Sequence, residues 1–298
     1  MKRSDPQIFG ASWLARARSA SDVASWASEV IADYDTTGKT YLDTIRQWFD
    51  GFSAEPRDKN KLRGELENFS KNSAHVAGVN ELAWWTLMKA QGMLAAVVPT
   101  TKSAARPDFE VHSPVECYIE VTTLNVSQAD ETAFAEAPAL MEDAKSRPDD
   151  EEDEDSVSKH IGAALDRNET IRRLIWNSAR GKLNQLKHAT DQKKPAVLVV
   201  FDYTAFSAYA TDFNRALGDS LLGVKNKFAN CPAELSALVY VERKVLNGRI
   251  ALSLGRSSVY YNPLAIMPLK VGSFPFFRQL RRDLESSEPE SIDEWINL

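Results

Sequence analysis

The chain has 298 residues, of which 43% are hydrophobic and 26% charged, and this composition excludes a grossly disordered protein. It contains no run of 18 apolar residues and no apolar N-terminal secretory signal, so we predict a cytoplasmic protein without a membrane span. Two cysteines, Cys117 and Cys231, are too few for a disulfide framework or a zinc cluster.

The negative charge is concentrated in one segment. Residues 142–155 contain nine acidic and two basic side chains, a net charge of -7, so the rest of the chain carries +1 against a total of -6. Such a run is typical of a solvated loop. The alternative is that it mimics nucleic acid and shields a basic groove.

The first part of the chain has the periodicity of amphipathic helices. Helices are predicted at 8–17, 23–34 and 41–52, and a helix that is apolar on nearly all sides at 76–91. Strands are predicted at 94–100, 107–124, 195–203, 235–241 and 250–254, with a helix at 169–189. This order predicts an α/β fold with a mixed sheet.

We predict three regions along the chain. Residues 1–73 form a helical N-terminal region, 74–204 a core that carries a polar, acidic insertion at 126–168, and 205–298 a C-terminal α/β extension of that core.

Residues 106–125 read as a β-hairpin with two acidic residues on one face. A turn centred on Pro114 pairs positions whose numbers sum to 228, which places Asp108 opposite Glu120. The odd positions form an apolar face of Phe109, Val111, Cys117, Ile119 and Val121. Like charges that face each other destabilise a sheet, and convergent carboxylates are the usual ligands of Mg²⁺. The alternative is a solvated polar face with no ligand.

Two further charged residues are predicted to approach the interior. On a helical wheel of 169–189, Lys182 lies near the centre of the apolar face with Gln185 at its edge, whereas Arg180 and Lys187 point away. Glu81 precedes an apolar stripe of the helix at 76–91. The alternatives are a lysine that reaches water along the helix surface and an acid that favours a helix N-terminus.

The order of these residues resembles the PD-(D/E)XK nuclease superfamily, the restriction-endonuclease-like fold, over roughly residues 74–204. The resemblance rests on helical Glu81, Pro107-Asp108 on one strand, Glu120-Val121-Thr122 on the next, and a helix with Lys182 and Gln185. It implies that Asp108 and Glu120 bind Mg²⁺ or Mn²⁺, with Glu81 and the Val121 carbonyl as further ligands.

The chain departs from the family at Thr122, which stands where the family has its lysine. Some members are similar in taking the lysine from the following helix, and Lys182 fits that position. Lys182 would then orient the attacking water or stabilise the transition state, whereas Thr122 could only donate a hydrogen bond.

The resemblance implies a metal-dependent endonuclease that hydrolyses DNA, in a restriction or defence system, with a protein partner or a second copy as a further possibility. The alternatives are a catalytically inactive nuclease-like module that binds nucleic acid or a protein, and an unrelated α/β interaction protein. Basic residues offered for phosphate contacts are Arg172, Arg173, Arg180, Lys187, Lys193, Lys194, Lys225, Lys227, Arg278, Arg281 and Arg282.

Overall fold

A computed structural model of the chain describes residues 7–101, 104–124, 175–202, 213, 217, 231–280 and 295–297. These residues form an α/β structure around one eight-stranded mixed sheet, which confirms the predicted fold class at this level. The predicted acidic insertion at 126–168 lies outside the described residues.

Helices make up the N-terminal part, as the periodicity predicts. They are α1 (Ala11–Ser19), α2 (Ser25–Ala32), a π-helical turn (Tyr34–Gly38), α3 (Lys39–Gly51), α4 (Pro56–Leu66) and α5 (Asn72–Ala90). Helix α5 buries residues on all sides, among them Val79, Leu82 and Trp84, because it packs between the other helices and the sheet.

The sheet follows the order of the chain. Its strands are β1 (Leu94–Val97), β2 (Phe109–Ser113), β3 (Cys117–Leu124), β4 (Ala196–Asp202), β5 (Ala237–Leu246), β6 (Arg249–Tyr261), β7 (Arg278–Leu280) and β8 (Trp295–Asn297). Strands β1 to β7 are neighbours in sequence order and β8 pairs with β6. The pairs β3–β4, β4–β5 and β6–β7 are parallel and the others antiparallel.

The hairpin has the predicted register. Phe109 pairs with Ile119 and Val111 with Cys117, so the numbers sum to 228, and all four side chains are fully buried. The opposite face is covered at Glu120, which is only 3% exposed, and remains open at His112 near the turn. A solvated polar face is therefore wrong at Glu120.

The predicted helix at 169–189 is two helices in its described part. Residues 175–181 are helical, Lys182 leaves the helix with φ -101° and ψ 12°, and α6 runs over Leu183–Asp191. The apolar face is buried at Ile175, Ala179, Leu186 and Ala189, as predicted.

Two hydrophobic clusters sandwich the sheet. The larger joins the N-terminal helices to one face and includes Trp13, Trp84, Phe109 and Val199. The smaller includes Trp176 and Leu186 and covers the other face under 175–181 and α6. The sheet is thus held between helices on both sides, and the candidate site opens where β2 begins.

Candidate functional site

Five of the six side chains predicted for the site line one cleft. They are Glu81 on α5, Asp108 directly before β2, Glu120 on β3, Lys182 between the two helices, and Gln185 on α6. The cleft has a volume of about 450 Å³. Elements distant in sequence therefore bring three acids, a lysine and an amide together.

A short ion pair lies in the cleft. Lys182 Nζ donates to Glu120 Oε1 at 2.5 Å, while the buried Glu120 Oε2 has no hydrogen-bond partner among the residues that the structure describes. Burial and the neighbouring Asp108 raise the pKa of Glu120 from 4.5 to about 8, against the opposing effect of Lys182. Burial lowers the pKa of Lys182, but Glu120, Asp108 and Glu81 together outweigh burial and leave that pKa above its ordinary value.

Asp108 is fixed by the strand that carries Glu120. Its Oδ2 accepts a hydrogen bond from the Val121 amide at 2.8 Å. Burial raises the pKa of the Asp108 carboxyl, although the Val121 amide works in the opposite direction. In an extended strand the N–H and C=O of one residue point to the same side, so the Val121 carbonyl also faces the Asp108 side of β3.

Helix α4 adds residues that the sequence did not single out. Glu65 lines the cleft and its Oε1 lies 3.8 Å from Lys61 Nζ. Burial is the main cause that raises the pKa values of both Glu65 and Glu81, and Asp108 raises both further. The sequence signal was weak: Glu65 borders the buried stripe of Leu62 and Leu66, but nothing in the sequence placed α4 beside the hairpin.

Negative charge dominates the cleft. Its lining contains five acids and three bases, a formal charge of -2 when all are ionised. The acids are Asp58, Glu65, Glu81, Asp108 and Glu120, and the bases are Lys61, Arg106 and Lys182. Burial is the main cause of the raised carboxyl pKa values at its centre, and the neighbouring acids add to it at Glu81 and Glu120. The excess of negative charge favours a cation.

Thr122 lies outside the lining of the cleft. Its Oγ1 is 3.2 Å from Ser178 Oγ, so its hydroxyl pairs with the helical residues 175–181 rather than with the acids. A direct catalytic role for Thr122 therefore finds no support in its contacts.

The predicted phosphate-binding bases also lie elsewhere. Among the described residues, Arg180, Lys187, Lys193, Lys194 and Arg278 do not line the cleft, and Lys194 is paired with Glu110 at 2.9 Å. Arg172, Arg173, Lys225, Lys227, Arg281 and Arg282 lie outside the described residues. The bases at the cleft, besides Lys182, are Lys61 and Arg106, which were not among the predicted phosphate contacts.

The acids of the cleft are few enough that a Mg²⁺ ion bound there would keep much of its water. In the described part of the chain, no three Asp, Glu, His or Cys side chains converge closely enough to hold one ion. Glu81, Asp108 and Glu120 therefore do not make a three-carboxylate site in this arrangement. The free Oε2 of Glu120 and the adjacent Asp108 offer one or two carboxylates, which is the number that Mg²⁺ commonly takes from proteins.

Comparisons with protein-family models, with curated proteins and with solved structures found no match to this chain. Among its described helices, none combines the length and the apolar character needed to cross a bilayer.

Proposed function

We propose that this protein is a Mg²⁺-dependent endonuclease that hydrolyses phosphodiester bonds of DNA, with the restriction-endonuclease-like arrangement of the PD-(D/E)XK superfamily. The observation that carries the proposal is the contact of Lys182 with Glu120, beside Asp108, inside an acidic cleft. The resemblance implies two acids from these strands, and some members of the superfamily take the lysine from the following helix, as Lys182 would here.

The metal would be held by Asp108 and Glu120, with the Val121 carbonyl on the same side of β3. Bound there, Mg²⁺ (or Mn²⁺) lowers the pKa of a water and neutralises charge on the phosphate. Asp108 is held in place by the Val121 amide, so its carboxylate needs little reorganisation to act as a ligand.

Lys182 is the catalytic lysine in this proposal, and it acts as a hydrogen-bond donor. It is about a third exposed and stands at the end of one helix and the start of the next, so its ammonium reaches both Glu120 and the open cleft. From there Lys182 donates to the attacking water or to a non-bridging phosphate oxygen, where developing negative charge strengthens the hydrogen bond. Gln185, which lies about one turn after Lys182, also lines the cleft, and its amide can donate or accept a hydrogen bond there.

Cleavage of labelled DNA and RNA, single- and double-stranded, with Mg²⁺, Mn²⁺ or EDTA tests the proposal. We expect metal-dependent cleavage that Asp108→Asn and Glu120→Gln reduce at least 100-fold. The asparagine retains an oxygen that accepts from the Val121 amide, so its effect reports the lost charge rather than a lost fold. Glu116→Gln is the control, because Glu116 is exposed on the same hairpin and does not line the cleft.

A nuclease-like module without activity is the second candidate, because no three ligand side chains converge among the described residues. It predicts binding of nucleic acid with no cleavage under any metal. Equal cleavage by the wild type and by both acid variants would identify a contaminating nuclease and refute the proposed activity.

A further inference from the structure

The carboxylate of Glu120 lies deep in the cleft. Glu120 is 3% exposed and is paired with Lys182, which is about a third exposed toward the open cleft. A phosphate that reacts there must enter the cleft, since the carboxylates cannot move out to meet it. The substrate backbone therefore has to bend inward at the scissile bond.

The volume of the cleft limits what can enter. About 450 Å³ lies at the lower end of the range for pockets that enclose one drug-sized molecule, which corresponds to one or two nucleotides. A duplex holds its phosphates on a stiff, convex surface. A single strand is flexible enough to present one phosphate to the floor.

The residues that line the cleft around the acids can contact the backbone of a single nucleic-acid strand. Helix α4 contributes Leu62 and Lys61, and the segment before β2 contributes a further base, Arg106. The end of β1 and the segment before β2 add small apolar side chains that offer van der Waals contact to sugars and bases. These are Val97, Val98, Ala104, Ala105 and Pro107.

Lys61 and Arg106 are both exposed at the cleft. Their positive charges can contact phosphates next to the scissile one, where they also offset the repulsion from the acidic floor. Because Lys61 belongs to α4, the N-terminal helices help to select the substrate in addition to supporting the core.

We infer that the substrate class is single-stranded DNA, including single-stranded flaps and overhangs of duplexes, engaged by Lys61 and Arg106. This inference rests on the proposed endonuclease function, and it adds the strand that the site accepts.

The test compares three end-labelled DNAs of one sequence with the full-length protein and Mg²⁺: a single strand, a blunt duplex, and a duplex with a single-stranded flap. We expect kcat/KM for the single strand and for the flap to exceed that for the blunt duplex at least tenfold. Cleavage of the flap substrate should fall in or next to its single-stranded part.

Lys61→Ala and Arg106→Ala test whether these two basic side chains contact the substrate. Each should raise KM for the single strand about three- to tenfold, leave kcat within about twofold, and reduce the slope of log(kcat/KM) against log[salt] by about 0.7. Lys39→Ala is the matched control, because Lys39 is an exposed lysine on α3 away from the cleft. It should change neither quantity.

The results distinguish a failure of the strand preference from a failure of the proposed endonuclease function. Cleavage of the blunt duplex as fast as of the single strand overturns the strand preference and leaves the endonuclease standing. Absence of cleavage on all three DNAs refutes the endonuclease. Fluorescence anisotropy with Glu120→Gln protein then decides the preference alone: tighter binding of the single strand supports it, and equal or tighter binding of the duplex overturns it.

Discussion

Lys182 Nζ lies 2.5 Å from Glu120 Oε1, although 62 residues separate the two in the chain. Glu120 is buried in the middle of β3, and Lys182 reaches it because the helix stops at that residue. A carboxylate and an ammonium placed at such a position each depend on the other, because an unpaired buried charge is costly.

Lys182→Met should reduce cleavage about 100- to 1,000-fold, since methionine keeps the length of the side chain and loses the donor. It should also lower the free energy of unfolding by about 1–2 kcal/mol, less than for a fully buried pair because Lys182 is about a third exposed. Urea denaturation at pH 8 and single-turnover kinetics measure the two effects.

A double-mutant cycle isolates the ion pair. In the Glu120→Gln background no carboxylate is left unpaired, so Lys182→Met should cost markedly less stability than in the wild type. The same loss in both backgrounds would mean that Lys182 stabilises the fold through its packing and not through Glu120.

The metal should bind more tightly as the pH rises. The pKa of Glu120 is raised from 4.5 to about 8, so the metal-free folded protein holds a proton that a cation must displace. We expect the dissociation constant for Mg²⁺, measured by calorimetry, to fall at least tenfold between pH 6.5 and pH 8.5. An affinity that does not depend on pH would contradict proton displacement at this carboxyl.

The raised pKa of Glu120 also predicts how the stability of the metal-free protein changes with pH. A carboxyl whose folded pKa exceeds its unfolded value contributes stability below about pH 4.5 and loses that contribution as the pH rises through about 8. In EDTA, thermal unfolding should therefore show Tm falling more steeply from pH 5 to pH 8 for the wild type than for Glu120→Gln. Mg²⁺ should recover more of Tm at pH 8 than at pH 6.

Thr122→Lys should partly restore cleavage to the Lys182→Ala variant. The Thr122 hydroxyl meets Ser178, four residues before Lys182, so a lysine at position 122 starts near the place that Lys182 leaves. We expect a gain of at least tenfold over Lys182→Ala alone. Thr122→Gln in the same background is the control, because it adds length without an ammonium, and an equal gain from it would disprove the shared role.

Local alternation was enough to predict the hairpin. The register of Phe109 with Ile119 and the burial of one face follow from the two-residue period of a strand and a turn at Pro114. The helical period also predicted an inward Lys182, but it did so for a continuous helix, whereas in the structure the helix breaks at Lys182.

What the sequence could not provide was contact between distant elements. The position of α4 at the cleft depends on its packing on α5, which no local pattern encodes. Strand β6 was predicted to end at 254 and continues to Tyr261, because its serines are buried and satisfied by the backbone. Ser257, for example, donates to the Ser253 carbonyl at 2.6 Å, so a polar sequence there did not mean a loop.

Two glycine substitutions with opposite expected effects on stability test the packing of the N-terminal helical region. Gly64 lies inside α4 with open space where a side chain would be, so Gly64→Ala should stabilise the protein by about 0.5–1 kcal/mol. Gly248, in the β5–β6 turn, has φ +77°, and an added Cβ would lie 2.2 Å from the Thr37 carbonyl oxygen. Gly248→Ala should therefore lower the free energy of unfolding by at least about 2 kcal/mol, through the left-handed conformation and the clash together.

Thermal unfolding measures the effect of both substitutions. A neutral Gly248→Ala would mean that the turn does not contact the π-helical segment closely. A destabilising Gly64→Ala would mean that α4 is not a regular helix at that residue.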